Sequence, residues 1–391
     1  MDSQIILIAN PGSVSRKYAL FAGDKLLGEL RFEWLNGELI YNLSTSNNEA
    51  VFANIANLGE ASSKVMDIFR KSGVLQANDM VGAIGLRVVA PGSYFLKHRV
   101  ADAQYEENLS RVAGLAPIHV SAALEELGSL KKQFAGVKII GASDSAFHAT
   151  RPDYAKYYGI PKKDADSFDV KRFGYHGISV SSVINKLEEA GKLAPKVVVV
   201  HLGGGSSVSA VLNGRSIDNT MGFSPLEGLV MCTRSGSIDT TAVFALKQIL
   251  KLGDPEMHDY LNNKAGLLGL GGSADIPELI AKEKIGDKDS LLALNVYIYN
   301  VQKGIGEMVS ALGGIDALVL TGTVCERSTD IRHHLLERMH YLDLCLDELA
   351  NEGVLQSPDI KVISRLTHSK PILIVPTNEA QEILNITRKL S

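Results

Sequence analysis

Two segments half a chain apart share one pattern of apolar and small polar residues. In the first, the apolar residues 5–9 run into the small residues 10–15 and then into residues 17–21. In the second, residues 197–200 run into the Gly- and Ser-rich residues 201–207, then into residues 208–212 and the dipeptide Asn213-Gly214. Each pattern predicts a buried strand, a turn of small residues and a second strand.

The remaining periodic segments predict strands and helices that alternate along both halves. Residues 137–141, 317–322 and 371–376 are strand candidates, residues 181–187 and 291–312 have helical periodicity, and residues 377–379 are predicted to cap a C-terminal helix. We therefore expect an α/β fold with one domain at residues 1–150, joined by the helix at 377–391, and a second at 151–376. In open α/β sheets, ligands gather beyond the carboxyl ends of the strands, where Asp144, residues 203–205 and Gly322 fall.

The composition is that of a globular protein. The chain has 391 residues, 45% hydrophobic and 21% charged, which excludes a small disulfide scaffold, a disordered chain and a membrane-embedded one. Its 40 basic and 44 acidic side chains give a net charge of −4, so nucleic acid is not an expected partner. Cys232, Cys325 and Cys345 have no metal-ligand spacing, and the N-terminus shows no export signal. We therefore expect a cytoplasmic protein with reduced thiols and no membrane partner.

The Gly- and Ser-rich turns are the first candidates for chemistry. Glycine lets a backbone approach a ligand, and turn N–H groups and Ser hydroxyls can hold phosphate oxygens. Two such turns could grip one phosphorylated ligand from opposite sides, although two ordinary β-hairpins would give the same pattern. Arg234 lies in segment 218–236, whose Gly, Pro and small polar residues predict a shaped loop. It could present a planar donor fork to an oxyanion, with a surface ion pair as the alternative.

Over essentially the whole chain, the sequence resembles the acetate kinase family. The stretch from His201 to Asp239 is similar to that family's long signature, and residues 10–17, Asn-Pro-Gly-Ser-Val-Ser-Arg-Lys, to its shorter amino-terminal one. Further similar segments follow in the family's order: residues 87–89, 115–119, 144–148, 173–177 and 376–379.

The resemblance implies both an activity and an architecture. The activity is Mg²⁺-dependent, direct in-line phosphoryl transfer between ATP and the carboxylate of acetate or a similar short-chain acid, giving an acyl phosphate and ADP. The architecture is two similar domains of the duplicated sugar kinase and actin (ribonuclease H-like) fold with a cleft between them, the second domain binding the nucleotide. The family's proteins are homodimers whose domains close over the ligands.

The same resemblance assigns catalytic roles to four residues: Arg87, Asp144, His176 and Arg234. The arginines would orient the carboxylate and neutralise the equatorial oxygens of the transferring phosphoryl group, and the histidine would donate to that group. The alternatives are a structural ion pair for Arg87, a core position for His176 and a helix cap for Asp144.

The ligand-binding positions follow from the same match. Glu379, with Asn10 nearby, would hold Mg²⁺, because oxygen ligands suit this hard ion; a partner of the helix dipole is the alternative for Glu379. The substrate-binding positions are Arg87, Val89, Ile118, Tyr175 and Pro225, of which the last four would form a small apolar pocket. The nucleotide-binding positions are Lys17, His201, Leu202, Gly203, Gly204, Gly205, Asp275 and Glu326. A small apolar pocket for the acid discriminates between substrates by only ~1–3 kcal/mol of binding free energy per methylene, so the sequence does not separate acetate from propionate.

Departures from the family pattern gather around the expected nucleoside. Asp275-Ile276-Pro277 stands where the family has Asp-Phe-Arg, which removes an arginine that could stack on the base. Residues 323–327, Thr-Val-Cys-Glu-Arg, stand where the family has Gly-Ile-Gly-Glu-Asn, which adds Cβ atoms where a nucleotide would approach the backbone. Three interpretations stay open: an ATP-dependent kinase with a rebuilt nucleoside pocket, a carboxylate kinase that uses pyrophosphate or another nucleotide, and a non-catalytic binding or regulatory homologue.

Overall fold

The chain divides into two compact units, Met1–Ala146 with Asn378–Ser391, and Phe147–Thr377. The computed structural model describes residues 4–12, 15–35, 38–45, 49–53, 57–76, 78–354 and 357–391. The C-terminal helix Glu379–Leu390 therefore belongs to the same unit as the N-terminal strands. None of the helices in the described ranges is long and apolar enough to cross a lipid bilayer.

The first unit is built on an eight-stranded sheet. Its strands are β1 (Ile5–Pro11), β2 (Ser15–Ala22), β3 (Lys25–Leu35), β4 (Glu38–Thr45), β5 (Glu49–Ala53), β6 (Val81–Val88), β7 (Arg99–Val100) and β8 (Lys138–Ser143), in the spatial order β5-β4-β3-β2-β1-β6-β8-β7. Strands β1 to β5 pair antiparallel, whereas β6 is parallel to both β1 and β8. The helices are α1 (Ala61–Lys71), α2 (Ala103–Arg111), α3 (Pro117–Gln133) and the C-terminal helix, with 3-10 helices at Leu58–Glu60 and Ser93–Phe95.

The two faces of this sheet are covered by different helices. Leu7 and Leu86 lie in one apolar cluster with Phe69 of α1 and Leu127 of α3. Because neighbouring residues on a strand point to opposite faces, Gly85 lies on the other face, which the C-terminal helix covers.

The C-terminal helix approaches the sheet closely. A Cβ at Gly85 would lie 2.7 Å from Ile383 Cγ2, so glycine leaves the room that the helix needs. Asn378 begins the helix by accepting a hydrogen bond from the backbone N–H of Gln381 at 3.0 Å, which confirms the predicted cap.

The second unit is built on a six-stranded sheet. Its strands are β9 (Lys196–Leu202), β10 (Ser206–Leu212), β11 (Arg215–Asn219), β12 (Ala317–Thr321), β13 (Lys361–Val362) and β14 (Ile372–Ile374), in the order β11-β10-β9-β12-β14-β13. The helices are α4 (Asp153–Lys156), α5 (Lys162–Ser167), α6 (Gly177–Glu189), α7 (Thr240–Leu250), α8 (Asp254–Asn263), α9 (Gly266–Gly271), α10 (Ile276–Lys284), α11 (Lys288–Leu312), α12 (Thr323–Arg327), α13 (Thr329–Leu336) and α14 (Glu348–Glu352). Short 3-10 helices lie at Ala146–Thr150 and His340–Leu342.

The two sheets repeat one connectivity. In each, the first strand pairs antiparallel with the second and parallel with a later one: β1 with β2 and β6, and β9 with β10 and β12. The orders β3-β2-β1-β6-β8 and β11-β10-β9-β12-β14 therefore correspond strand for strand. This confirms the strand, turn and strand pattern that the sequence predicts twice, and the predicted strands and helices elsewhere appear as β8, β12, β14, α6 and α11.

Candidate active site

In the first unit, Arg87 joins the ends of β1, β6, β8 and the C-terminal helix. It donates from Nε and Nη2 to the two carboxylate oxygens of Asp144, at 3.3 and 3.1 Å, a bidentate ion pair. From Nη1 it donates to Asn10 Oδ1 at 3.2 Å and to Glu379 Oε2 at 3.4 Å. Asn10 Nδ2 donates to the same Glu379 oxygen at 2.9 Å. Four residues predicted from separate motifs thus form one hydrogen-bonded cluster, which we call the Arg87 cluster.

The parallel strands explain why this cluster forms. Because β1, β6 and β8 are parallel neighbours, their carboxyl ends meet at one edge of the sheet, where Asn10, Arg87 and Asp144 lie. Asp144 is 1% exposed, so its charge requires a partner at close range. Burial opposes the charged form of Arg87, but the carboxylates of Asp144 and Glu379 outweigh it and raise the pKa of Arg87 above its ordinary value.

A histidine that the sequence did not single out supports this cluster. The backbone N–H of Ser143, next to Asp144, donates to His98 Nδ1 at 3.1 Å. Burial, together with the charge of Lys389, lowers the pKa of His98 to about 4, although Asp144 opposes the shift. The imidazole is therefore neutral near pH 7 and remains a hydrogen-bond acceptor. No motif surrounds His98 in the sequence, so only the tertiary contact reveals it.

Two other predicted positions of the first unit, Lys17 and Val89, lie near members of the cluster. Lys17 faces Asn10 across the β1–β2 ladder. Partial dehydration by its surroundings lowers the pKa of Lys17, and the positive charges of Arg31 and Arg87 add to this shift. The Lys17 side chain nevertheless reaches solvent. Val89 is half-buried just after β6. The side chain of Ile118 and all of residues 13–14 in the predicted phosphate turn lie outside the described residues.

In the second unit, His176 precedes α6 in an unusual backbone conformation. Its φ of 61° is in the left-handed region, which costs a non-glycine residue energy and needs support from its neighbours. This support comes through the preceding carbonyl group, that of Tyr175. His148 Nε2 lies 2.9 Å from the carbonyl oxygen, and Asn219 Nδ2 lies 3.4 Å from it. His148 is fully buried and bonds Ser216 Oγ through Nδ1 at 2.8 Å.

The His176 imidazole is fixed on two sides. Its Nδ1 lies 3.0 Å from Ser207 Oγ on β10. Its ring centroid lies 4.4 Å from that of His201 at the end of β9, and His201 Nδ1 pairs with Ser179 Oγ at 2.8 Å. The β9–β10 hairpin therefore positions both histidines.

The turn between β9 and β10 consists of glycines, and its backbone lies next to the side chains of His176 and Arg234. The turn closes through Gly203 N–H to the carbonyl of Gly205 at 3.0 Å. A Cβ at Gly205 would lie 3.1 Å from His176 Nε2 and 3.5 Å from Arg234 Nη1, whereas one at Gly204 would meet no described atom within 4 Å. We call this arrangement the Gly205 turn.

Arg234 lies in the irregular segment between β11 and α7, as the sequence predicts. Its Nη1 donates to the carbonyl of Pro225 at 3.4 Å and contacts Met231 Sδ at 3.7 Å. Burial lowers the pKa of Arg234, in contrast to Arg87, whose charge is stabilised by carboxylates. A guanidinium dehydrated in this way is stabilised by a bound anion.

The two predicted acyl-pocket residues of this unit are both buried. Tyr175 is fully buried, and its hydroxyl donates to the carbonyl of Phe223 at 2.6 Å. The phenolic hydroxyl of this pocket residue is therefore satisfied by a backbone carbonyl. Pro225 is also buried.

The predicted nucleoside positions are more scattered. Leu202 is fully buried, and Asp275 is exposed at the start of α10. Glu326 Oε1 accepts a hydrogen bond from the backbone of Gly322 at 3.0 Å, and burial raises the pKa of Glu326. Cys325 points into the core of the unit, so of the two residues that replace family glycines only Thr323 has an exposed side chain.

Oxygen ligands for a hard cation occur in the Arg87 cluster. Asn10 Oδ1 and the Glu379 carboxylate are joined through Asn10 Nδ2 and Arg87, and the Glu379 side chain is 20% exposed. One carboxylate, one amide oxygen and access to water fit Mg²⁺, which keeps several waters. The one group of three His, Cys, Asp or Glu side chains with converging ligand atoms in the described part of the chain is His333, His334 and Glu337, whose imidazoles suit other metals.

Comparisons with known proteins cover nearly the whole chain. The family model for the Acetokinase family matches residues 5–385. The acetate kinase of Thermoanaerobacterium thermosaccharolyticum is 34% identical over 98% of this chain and 98% of its own length. Two solved structures match at 28% identity: the propionate kinase from Francisella tularensis subsp. tularensis SCHU S4, with a TM-score of 0.90 over 99% of this chain and 100% of that one, and the Porphyromonas gingivalis acetate kinase, with 0.86 over 99% of both. These structures confirm the predicted two-domain α/β architecture.

Proposed function

Because this chain belongs to the acetokinase family, we propose that it is an acetate kinase. The reaction is the reversible transfer of a phosphoryl group from ATP to acetate, or to a similar short carboxylic acid, which gives an acyl phosphate and ADP. The observation that carries the proposal is the Gly205 turn, because its bare backbone lies beside the imidazole of His176 and the guanidinium of Arg234. Backbone N–H, imidazole and guanidinium groups are the donors that bind a phosphoryl group.

The chemical step forms one bond and breaks one bond. A carboxylate oxygen of the acid bonds to the γ-phosphorus, and the bond from that phosphorus to the bridging oxygen breaks, its electron pair leaving on ADP. A carboxylic acid is already ionised at pH 7, so no general base is needed. Catalysis then consists of positioning the reactants and neutralising the negative charge of the phosphoryl oxygens.

Arg87 and Arg234 supply positive charge in this proposal. They orient the carboxylate and stabilise the charge on the equatorial oxygens of the transferring group. Asp144 acts on Arg87, since its bidentate contact fixes the plane of the guanidinium. The described contacts of Arg87 use four of its five N–H groups, which leaves one for a substrate oxygen.

His176 acts as a hydrogen-bond donor. When the Ser207 hydroxyl donates to Nδ1, the ring proton is on Nε2, the atom nearest the Gly205 turn. A neutral imidazole in this tautomer donates one hydrogen bond to a phosphoryl oxygen. Ser207 and His148 are then positioning residues for this donor.

We assign the Mg²⁺ site to Glu379 and Asn10. Bound there, the cation would neutralise phosphate charge as a Lewis acid. Glu379 would supply the carboxylate and Asn10 the amide oxygen. The positive charges of Arg87 and Lys17 lie near Glu379 and oppose a free cation, so we expect Mg²⁺ to bind together with the nucleotide phosphates. Lys17, across the ladder from Asn10, is the proposed contact to the nucleotide phosphates.

Acetate is the proposed acid, bound against Val89, Ile118, Tyr175 and Pro225. The support is the acetate kinase relatives and the burial of Tyr175 and Pro225. One methylene changes the binding free energy by only ~1–3 kcal/mol, so propionate is expected to react more weakly rather than to be excluded.

A second candidate differs in the phosphoryl donor. The exposed Thr323 and the proline at residue 277 favour a carboxylate kinase that uses pyrophosphate or a non-adenine nucleotide, since both change the expected nucleoside contacts. Cys325 does not add to this argument, because its side chain packs in the core.

A homodimer is proposed from the family and from one surface. Helix α7 has apolar residues but buries none of its side chains, and Phe244 and Ile249 are 66% and 73% exposed. An exposed apolar helix face of this kind is typical of a protein interface. Phe244→Asp should shift the molecular mass measured by light scattering from dimer to monomer. The expected location is the cytoplasm, where ATP is available and free Cys232, Cys325 and Cys345 stay reduced.

The test is direct detection of the acyl phosphate. The protein is incubated with Mg²⁺ and acetate or propionate, and with ATP, GTP or pyrophosphate in turn, and the product is trapped with hydroxylamine. Acetyl hydroxamate formed with ATP supports the proposal, product with pyrophosphate or GTP alone favours the second candidate, and no product with any donor refutes both. Arg234→Ala is the negative control.

A further inference from the structure

An ion pair that is not part of the Arg87 cluster is buried in the first unit. Arg16 on β2 is 4% exposed and Glu126 on α3 is 2% exposed. Arg16 and Tyr18 lie two residues apart on the strand, so both point to the face that α3 covers. Removing such charges from water costs several kcal/mol per ion, and an apolar pair would often fold as well. The pair therefore calls for a functional explanation.

Glu126 accepts a hydrogen bond from Tyr18 but none from Arg16 Nε. Tyr18 Oη lies 2.9 and 3.0 Å from its two carboxylate oxygens. Arg16 Nε lies 3.6 Å from Glu126 Oε2, too far for a hydrogen bond, and has no acceptor within the described ranges. The attraction between Arg16 and Glu126 is thus mainly electrostatic, and it depends on the charge of Glu126.

The remaining donors of Arg16 lead to the β1–β2 turn. Its Nη1 donates to the backbone carbonyl of Gly12, and its Nη2 donates to Glu125 Oε2 at 3.2 Å. Gly12 N–H in turn donates to the carbonyl of Ser15 at 2.8 Å. Through Arg16, helix α3 therefore holds the backbone at Gly12, two residues after Asn10.

We propose that Arg16 is a positioning residue for the kinase reaction: Glu126 holds its guanidinium, which fixes the Gly12 carbonyl and thereby positions the end of β1 that carries Asn10 for the nucleotide phosphates. This inference rests on the proposed function. Neither Arg16 nor Glu126 touches the reacting atoms in this scheme. Their effect is transmitted through Gly12 to the end of β1, where Asn10 faces Lys17 across the ladder.

The charge of Glu126 changes within the physiological pH range. Burial raises its pKa to about 7, and Glu125 adds to the shift, whereas Tyr18 and Arg16 oppose it. Among the described residues, these three are the titratable or charged groups that act on Glu126, from β2 and from α3 itself. When Glu126 is protonated, Arg16 loses its buried counter-charge and holds the turn less firmly. Nucleotide binding should therefore weaken as the pH falls below 7.

The experiment measures KM for ATP, KM for acetate and kcat between pH 6 and 8.5. Arg16→Met should raise KM for ATP about tenfold with a smaller effect on KM for acetate, because a misplaced turn weakens phosphate binding first. Arg16→Lys, which keeps the charge, should recover part of the loss. In the wild type, protonation of Glu126 should raise KM for ATP between pH 8 and pH 6. Glu126→Gln, which cannot ionise, should lack this contribution to KM. Glu107→Gln, which removes an exposed carboxylate of α2 that pairs with Arg111, is the control and should keep the wild-type pH profile.

Amide hydrogen exchange gives a readout independent of turnover. Arg16→Met should lose protection at Gly12, while amides of β6 stay protected, which separates local positioning from unfolding. Unchanged KM for ATP in Arg16→Met, or a wild-type pH profile in Glu126→Gln, overturns the inference. Failure of the wild type to form acetyl hydroxamate refutes the proposed function instead, and the exchange data then still decide whether Arg16 fixes the turn.

Discussion

Glu126 gives the first unit an unusual dependence of stability on pH. Its side chain is 2% exposed, and burial raises its pKa from the ordinary 4.5 to about 7. Between these two values the folded chain keeps a proton that the unfolded chain releases. The free energy of unfolding therefore falls as the pH rises through this window, opposite to the usual contribution of a carboxylate.

The size of the effect follows from the two pKa values. A shift of one unit corresponds to ~1.4 kcal/mol, and integration from pH 5 to pH 8 gives a loss of ~2.5 kcal/mol. Glu126→Gln keeps the size of the side chain and an acceptor for Tyr18 but does not ionise. We expect the free energy of unfolding of this variant, relative to wild type, to rise by ~2.5 kcal/mol between pH 5 and pH 8. His98 contributes a slope of opposite sign in both proteins, which cancels in the difference.

Urea denaturation at several pH values measures this difference. Trp34 is the one tryptophan in the sequence and lies on β3 of the same unit, so its fluorescence reports unfolding there. Glu107→Gln is the matched control: its side chain is 71% exposed, and surface ion pairs such as that of Glu107 with Arg111 contribute at most about 1 kcal/mol. A stability difference between Glu126→Gln and wild type that is constant from pH 5 to pH 8 would refute the reasoning.

Three further predictions concern the proposed active site. Gly205→Ala should lower kcat at least about tenfold, because its Cβ would lie 3.1 Å from His176 Nε2. Gly159→Ala, at an exposed glycine with open space, should stay near wild type, and equal rates for the two variants would contradict the assigned turn. Arg234→Ala should lower kcat by at least about 10²-fold, which is the scale for loss of one transition-state donor. Arg215→Ala, at an exposed arginine, should not lower kcat. Near-wild-type turnover in Arg234→Ala would exclude a transition-state role for Arg234. Glu379→Gln should raise the Mg²⁺ concentration for half-maximal turnover about tenfold, and an unchanged Mg²⁺ titration would place the cation elsewhere.

The sequence predicted the fold because the relevant signals are local. Continuous apolar runs, a stretch of small residues and an Asn-Gly turn act through nearest neighbours along the chain, so β1–β2 and β9–β10 could be recognised before any contact was known. The cap at Asn378 is equally local, since its acceptor and donor are three residues apart. The family motifs then selected the residues of the Arg87 cluster and of the Gly205 turn.

What the sequence could not supply is which groups share a hydrogen bond. Asn10 and Glu379 are 369 positions apart, yet their side chains are joined at 2.9 Å because β1 and the C-terminal helix pack in one unit. The contact of His98 with the backbone next to Asp144 left no trace in any motif. Cys325 could not be placed in the core by its position in the motif alone.

Local pattern therefore determined the strands, the turns and the family, whereas tertiary packing decided how each side chain is charged and supported. Arg16 and Glu126 show the physical reason most clearly. Along the chain they are two ordinary polar residues, and only the dehydration produced by packing α3 on β2 makes them a coupled pair with a shifted pKa. Desolvation depends on every neighbour in space, so it is a property of the folded unit and not of the sequence read residue by residue.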